Sequence, residues 1–215
     1  MSDEQNDVRI PVSEAAGEDS AAQGDLRERV RRIVVDALLK RQADPAALRE
    51  VMHATLDGIG DGLRPQAATA GESLRAAMHG MDEAFSKTLL AMKMAMDESW
   101  QSGRRFADED LRAAYEAVRG FDDDLVATLK QTAERSQGTL RDEFTRWQEH
   151  MSRAGMASLT QSRDVLTALS RQMTEVGSES GREAVRSAQL ASERLGAVTS
   201  GILRGLADSL DQRAD

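Results

Sequence analysis

The chain of 215 residues contains few of the side chains that carry out catalysis or bind metal ions. Its three histidines are His53, His79 and His150, and no two of them stand at the spacing of metal ligands. A Glu-x-x-His pair, which di-iron bundles carry on each of two helices, occurs once, at Glu50 and His53. Because no second pair faces it, we interpret the histidines as structural or surface residues.

Acidic triplets at residues 108–110 and 122–124 are the densest sets of possible cation ligands. The first suits the N-terminus of a helix, where carboxylates complement the helix dipole. The second lacks the spacing of a calcium-binding loop, and adjacent residues of a helix point in different directions. Both triplets are therefore interpreted as solvated helix faces.

Two glycine-rich segments resemble catalytic loops only superficially. Residues 58–62 have no preceding strand and no following Lys-Ser or Lys-Thr, so a phosphate-binding loop is excluded. Residues 177–181 carry Glu179 where a nucleophilic serine would stand. The absence of cysteine excludes disulfides, cysteine zinc sites and thiol enzymes. We expect no enzyme activity, no metal and no cofactor.

The composition indicates an all-α protein. The chain holds 32 alanines and three prolines, and aromatic residues make up only 3%. β-Branched and aromatic residues, which favour strands, are scarce, whereas Ala, Leu, Glu, Arg and Gln favour long helices. We predict long amphipathic helices in a coiled coil or an elongated bundle.

The net charge of −9 is concentrated at the start of the chain, where residues 1–25 carry seven acids and one arginine. An acidic chain does not attract phosphate backbones, so we expect no nucleic-acid partner. No apolar run is long enough to span a bilayer, which predicts no transmembrane segment. The polar, acidic start is unlike a secretory signal, so we expect a cytoplasmic protein.

Residues 1–24 are polar, acidic and dotted with Gly, Ser and Pro, which predicts a disordered tail. Residues 25–64 are predicted to form a helical hairpin. Asp25 can cap its first helix, and Asp44 followed by Pro45 marks the start of the second. Glycines within residues 58–62 are expected to loosen the end of that second helix.

Residues 65–215 are predicted to form one long amphipathic helical region with breaks near 103–108 and 177–181. Beyond residue 110 an apolar stripe recurs every three or four positions, at about 3.6 residues per step, as on a nearly straight helix. The large residues of this stripe form the predicted apolar interaction face: Leu125, Leu129, Leu140, Phe144, Trp147, Met151, Leu195, Val198, Ile202 and Leu206.

Two further groups of residues leave alternatives open. A methionine group is either ordinary helix core or an adaptable partner surface: Met78, Met81, Met92, Met94 and Met96. The small residues Gly196, Gly201 and Gly205 accompany the C-terminal stripe. They suit a plain packing helix, an oligomer contact or a helix lying on an interface.

Residues 70–215 resemble phasins, the bacterial proteins that coat polyhydroxyalkanoate granules. The likeness lies in alanine-rich, cysteine-free helices with Ser/Thr and Gln-Ala surfaces, as between Ser187 and Ala191. The same region is similar to the 11-residue-repeat helices of apolipoproteins. Residues 25–64 are not a phasin feature and resemble the opening of an uncharacterised bacterial helical family. The phasin resemblance implies a hydrophobic granule surface as partner and brings no functional residue with it.

We therefore predict a non-enzymatic interaction or scaffold protein that applies amphipathic helices to a hydrophobic surface or a protein partner. Granule coating is its most concrete form. The alternative is a self-associating structural coiled-coil protein, or an adaptor, in which the same apolar residues form a buried core. We expect a homo-oligomer in either case. DNA binding through the arginine-rich first helix is disfavoured by the net charge and the lack of a recognition helix.

Overall fold

The computed structural model describes residues 3–18, 23–66, 70–102, 106–154, 156–176 and 194–214. Within these ranges the chain forms nine α-helices, one short 3-10 turn at Arg64–Gln66 and no β-strand, which confirms the all-α prediction. The helices are α1 (Asp3–Gly17), α2 (Gln23–Lys40), α3 (Ala47–Leu63), α4 (Ala70–Gln101), α5 (Asp108–Arg119), α6 (Phe121–Arg135), α7 (Gly138–Ala154), α8 (Ala157–Val176) and α9 (Leu195–Ala214).

Helix α4 has 32 residues and packs against α2, α3, α7, α8 and α9, which makes it the central helix of the bundle. Its large buried residues recur every three or four positions, so one helix can contribute to the core along its whole length. They are Leu74, Met78, Met81, Phe85, Leu89, Met92 and Met96. Within the methionine group only Met94 is exposed, at 43%. The other four methionines are therefore core residues rather than an open partner surface.

Residues Asp3–Gly17 form helix α1, within the segment 1–24 whose composition predicts a disordered tail. Val8, Val12, Ala15 and Ala16 are all buried, and their spacing of three and four places them on one helix face. That face packs against α3. The acidic residues that suggested disorder lie mainly on the other faces, so they do not oppose the burial of the apolar residues.

Glycines set the closest helix approaches of the N-terminal half. A Cβ atom added to Gly58 would lie 2.6 Å from the carbonyl oxygen of Arg9, and one added to Gly62 would lie 2.3 Å from that of Ser13. A Cβ on Gly80 would lie 2.2 Å from the carbonyl oxygen of Arg27. Helix α3 therefore packs chiefly on α1, and α2 chiefly on α4. The two helices of the predicted hairpin, α2 and α3, are both present, but each packs mainly against another helix.

Helices α4 and α8 run parallel rather than antiparallel. Asp82 and Met96 of α4 bond to Ser158 and Gln172 of α8, and both pairs are separated by 76 residues. A constant separation along two helices means that they run in the same direction and in register. Parallel neighbours cannot be joined by a short turn, so the helices between α4 and α8 provide the return path.

The region predicted as one long helical stretch is divided into shorter helices. Helix α4 ends at Gln101 and α5 begins at Asp108, and Phe106 and Ala107, within the predicted break near 103–108, are not helical. Gly120 ends α5, and Ser136, with φ −84° and ψ 161°, ends α6. Helix α7 ends at Ala154, and α8 begins at Ala157. The predicted break near 177–181 lies outside the described residues.

Candidate interaction site

The structure places most of the predicted interaction face in the interior. Five of its residues are buried in the core: Leu125, Leu129, Leu140, Phe144 and Leu195. Four are partly buried and pack against that core: Trp147, Val198, Ile202 and Leu206. The side chain of Met151 lies outside the described part of the chain. The residues do belong to one apolar cluster, but in this conformation the cluster faces inward.

Three helices carry this cluster to the centre of the bundle. Helix α6, which carries Leu125 and Leu129, packs against α3 and α7. Helix α7 also packs against α4, and α9 packs against α4 and α2. Phe121, at the start of α6, meets Phe85 of α4 with ring centroids 5.3 Å apart and planes tilted by 55°. The apolar stripe therefore closes on the N-terminal half of the same chain.

Helix α8 is held by polar contacts as well as apolar ones. The carboxylate of Asp82 accepts hydrogen bonds from the backbone N–H groups of Ala157 at 3.1 Å and Ser158 at 2.9 Å. The hydroxyl of Ser158 donates to the same carboxylate at 2.7 Å. Because the first N–H groups of a helix have no partner within it, Asp82 acts as an N-terminal cap supplied by a different helix.

The polar contacts continue along the buried face of α8. The hydroxyl of Ser162 donates to Oδ1 of Asp122 at 2.8 Å, and Nε2 of Gln172 donates to the carbonyl oxygen of Met96 at 2.8 Å. On α9, Thr199 is fully buried, and its hydroxyl has no hydrogen-bond partner within the described residues. Polar side chains thus interrupt the apolar contacts beneath both C-terminal helices.

The interface between α2 and α4 carries a cluster of three charged side chains, Arg27, Glu83 and Lys87. Oε2 of Glu83 accepts from Arg27 at 2.9 Å and Oε1 from Lys87 at 2.7 Å. Partial burial raises the pKa of Glu83, but the hydrogen bonds and positive charges of Lys87 and Arg27 outweigh it and hold the pKa below its ordinary value.

The histidines occupy separate places. Nδ1 of His53 lies 3.0 Å from the hydroxyl of Thr128, which itself donates to the carbonyl oxygen of Asp124, so His53 serves as the donor to Thr128. His79 meets the ring of Trp147. The side chain of His150 is not described. Among the described residues, no three histidine, aspartate or glutamate side chains are grouped so that they could hold a metal ion.

These features define an all-helical bundle protein whose long apolar stripe is closed inside its own chain. A family model described as a family of unknown function (DUF6781) matches residues 3–212, so the chain belongs to that family. No curated protein and no solved structure matches the chain. None of the described helices is both long and apolar enough to cross a membrane.

Proposed function

We propose that this protein is a non-catalytic interaction protein that applies the apolar faces of its C-terminal helices to a hydrophobic surface. In the closed bundle those faces cover α4, so binding requires α8 and α9 to separate from it. The observation that carries the proposal is the polar layer beneath these two helices, which consists of Ser158, Ser162, Gln172, Thr199 and Ser200.

A polar interface costs less free energy to open than an apolar one of the same area. Each hydrogen bond contributes a net of only about 1 kcal/mol because water replaces the lost partner. Exposed apolar surface, in contrast, costs about 25 cal/mol for each Å². The buried hydroxyl of Thr199 gains a partner when α9 moves away. The interfaces of α1 with α3 and of α2 with α4, where Gly62 and Gly80 bring the helix backbones close together, form the part that stays closed.

The apolar side chains of α8 would then bind the surface in place of α4. Leu159, Val165 and Leu169 are buried in the closed bundle and share one face of α8. The phasin resemblance supports a granule of polyhydroxyalkanoate as the surface, since such a particle is apolar and has no defined shape to which a rigid pocket could be fitted. A helix that lies flat on such a granule binds it through its apolar face.

A covalent link between α4 and α8 tests whether opening is needed. Asp97 of α4 and Arg171 of α8 form an ion pair of 3.4 Å at the rim of this interface. Because the chain has no cysteine, the double variant Asp97→Cys/Arg171→Cys joins the two helices specifically with a short bismaleimide. Co-sedimentation with polyhydroxybutyrate particles is the measurement. We expect the linked protein to bind about tenfold more weakly or worse than the same variant capped with N-ethylmaleimide.

A second cross-link provides the matched control. Lys93 and Asp97 form an ion pair one helical turn apart within α4, with Nζ and Oδ2 2.7 Å apart. Cross-linked Lys93→Cys/Asp97→Cys carries the same chemistry but joins no two helices, so it should bind like the capped protein. Equal binding by both linked proteins would overturn the opening step. Lack of binding by the unmodified protein would overturn the hydrophobic-surface function itself.

Self-association is the second candidate, and the outer face of α9 favours it. A Cβ atom added to Gly201 or Gly205 would meet nothing within 4 Å in the described structure. These two residues lie one turn apart on an exposed face, where a second helix can approach closely. Light scattering of Gly201→Leu/Gly205→Leu tests this contact, because a dimer held there dissociates and an assembly held elsewhere keeps its mass.

A further inference from the structure

A cleft of about 410 Å³ lies between α4 and α7, away from the polar layer beneath α8 and α9. Helix α4 contributes Arg75 and His79, which are four residues apart. Helix α7 contributes Glu143, Arg146 and Trp147, at spacings of three and four. Residues at these spacings share one helix face, so each helix directs its set towards the other. The volume falls within the range of small-molecule sites.

The cleft has an aromatic wall. The rings of His79 and Trp147 are 5.5 Å apart at an interplanar angle of 77°, an edge-to-face arrangement that fixes their relative orientation. Trp147 is partly buried against the core, whereas His79 is exposed. A planar apolar group that enters the cleft can therefore pack against rings whose positions are already set.

The cleft also carries a guanidinium group that is available to an anion. Glu143 is occupied, because its side chain is only 15% exposed and pairs with Arg146. Gly71 makes room for it, since a Cβ there would lie 3.1 Å from Oε1 of Glu143. Arg75 is exposed and makes no hydrogen bond or ion pair within the described residues. Two arginines against one glutamate give the cleft a positive charge in a chain whose net charge is −9.

We propose that this cleft binds a small aromatic carboxylate. The guanidinium group of Arg75 would hold the carboxylate, because a planar guanidinium matches both carboxylate oxygens. The aromatic ring would pack against Trp147 and His79. This site is independent of the proposed hydrophobic-surface function, because it uses the closed arrangement of α4 and α7 and none of the residues beneath α8.

Titration with 2-naphthoate, followed by the NMR signals of the histidine rings, tests the proposal. The chain has three histidines, so the signals of His79 can be assigned with a single His79→Gln variant. We expect saturable shifts of the His79 signals, with little change at His53, which lies beside Thr128 on another interface. Naphthalene-2-methanol, which keeps the ring and lacks the charge, should bind much more weakly.

Two arginine variants distinguish recognition of the carboxylate by Arg75 from a general effect of the protein's positive charges. Arg75→Gln should weaken 2-naphthoate binding by about tenfold to a hundredfold, because a hydrogen bond to a charged group is lost. Arg163→Gln removes another exposed arginine, on α8, and should leave binding unchanged. Both positions are on the surface, so both variants should fold. Equal binding by the two variants, or equal shifts at His53 and His79, would overturn the proposal.

Discussion

Oδ1 of Asp82, in the middle of α4, accepts a hydrogen bond from the backbone N–H of Ser158 at 2.9 Å, across 76 residues of sequence. The same carboxylate also holds the N–H of Ala157 and the hydroxyl of Ser158. One side chain of the central helix therefore fixes both where α8 begins and how it lies along α4.

The first prediction concerns this cap. Asp82→Ala should lower the free energy of unfolding by about 1–2 kcal/mol, because the first N–H groups of α8 lose their partner. Asp164→Ala, at an exposed position of α8, is the matched control and should change stability by less than about 0.5 kcal/mol. Urea unfolding measures both variants. Amide exchange within α8 should accelerate in the first variant alone, and similar effects of the two substitutions would contradict the capping role.

The second prediction compares two glycines in helices. Gly62→Ala places a Cβ 2.3 Å from the carbonyl oxygen of Ser13, so α1 must move away from α3 at a cost of about 1–3 kcal/mol. Gly201→Ala meets nothing within 4 Å and should stabilise its helix by up to about 1 kcal/mol. Thermal unfolding and limited proteolysis of α1 are the measurements. If both variants lose stability, the close approach of α1 to α3 is not the reason why Gly62→Ala destabilises the protein.

The third prediction is a pH dependence at Glu83. Because its pKa is lower in the folded protein than the ordinary 4.5, Glu83 stabilises the fold above that pH, and the contribution is lost as the pH falls further. Glu83→Gln should therefore lose stability at neutral pH and unfold with less dependence on acid. Urea midpoints at neutral pH and at pH values below 4.5 test this. Lys87→Met removes one of the positive charges beside Glu83, so it should reduce the difference in stability between neutral and acidic pH. If Glu83→Gln leaves the acid dependence of stability unchanged, the prediction is contradicted.

The fourth prediction concerns the ring contact between α4 and α6. Phe85 and Phe121 are 5.3 Å apart, which suits a favourable aromatic pair. A double-mutant cycle with Phe85→Leu and Phe121→Leu should give a coupling of about 0.5–1.5 kcal/mol, because leucine keeps the apolar burial and removes only the ring interaction. Additive effects in urea unfolding would mean that the two rings contribute through burial alone.

Local sequence signals were sufficient to predict those helices whose ends and apolar faces are set by nearby residues. The apolar spacing from Leu74 to Met96 predicts α4, and the Asp44-Pro45 pair places the start of the second predicted helix close to the observed one at Ala47. The spacing of Val8, Val12, Ala15 and Ala16 was equally readable, but the acidic composition of the segment suggested disorder. Charge on the outer faces of a helix does not prevent its apolar face from packing.

The pairing of helices could not be read from the sequence, because it depends on contacts between distant residues. Nothing near Asp82 indicates that it caps a helix that begins at Ala157. Gly58 and Gly62 were expected to loosen their helix, whereas they allow α1 to approach α3, and the helix continues to Leu63. Likewise, the stripe that includes Leu125 and Phe144 has the spacing of a buried face, but its partner, the N-terminal half of the same chain, has no local signature.

The parallel arrangement of α4 and α8 has a consequence during protein synthesis. Because 76 residues separate Asp82 from Ser158, a ribosome that adds about 5–20 residues each second needs about 4–15 seconds to supply the partner. Throughout that interval the side of α4 that receives α8 is uncovered, while α1, α2 and α3 have already been made. The nascent chain therefore carries an apolar surface for seconds, and the speed of translation through residues 83–158 sets how long other proteins can bind it.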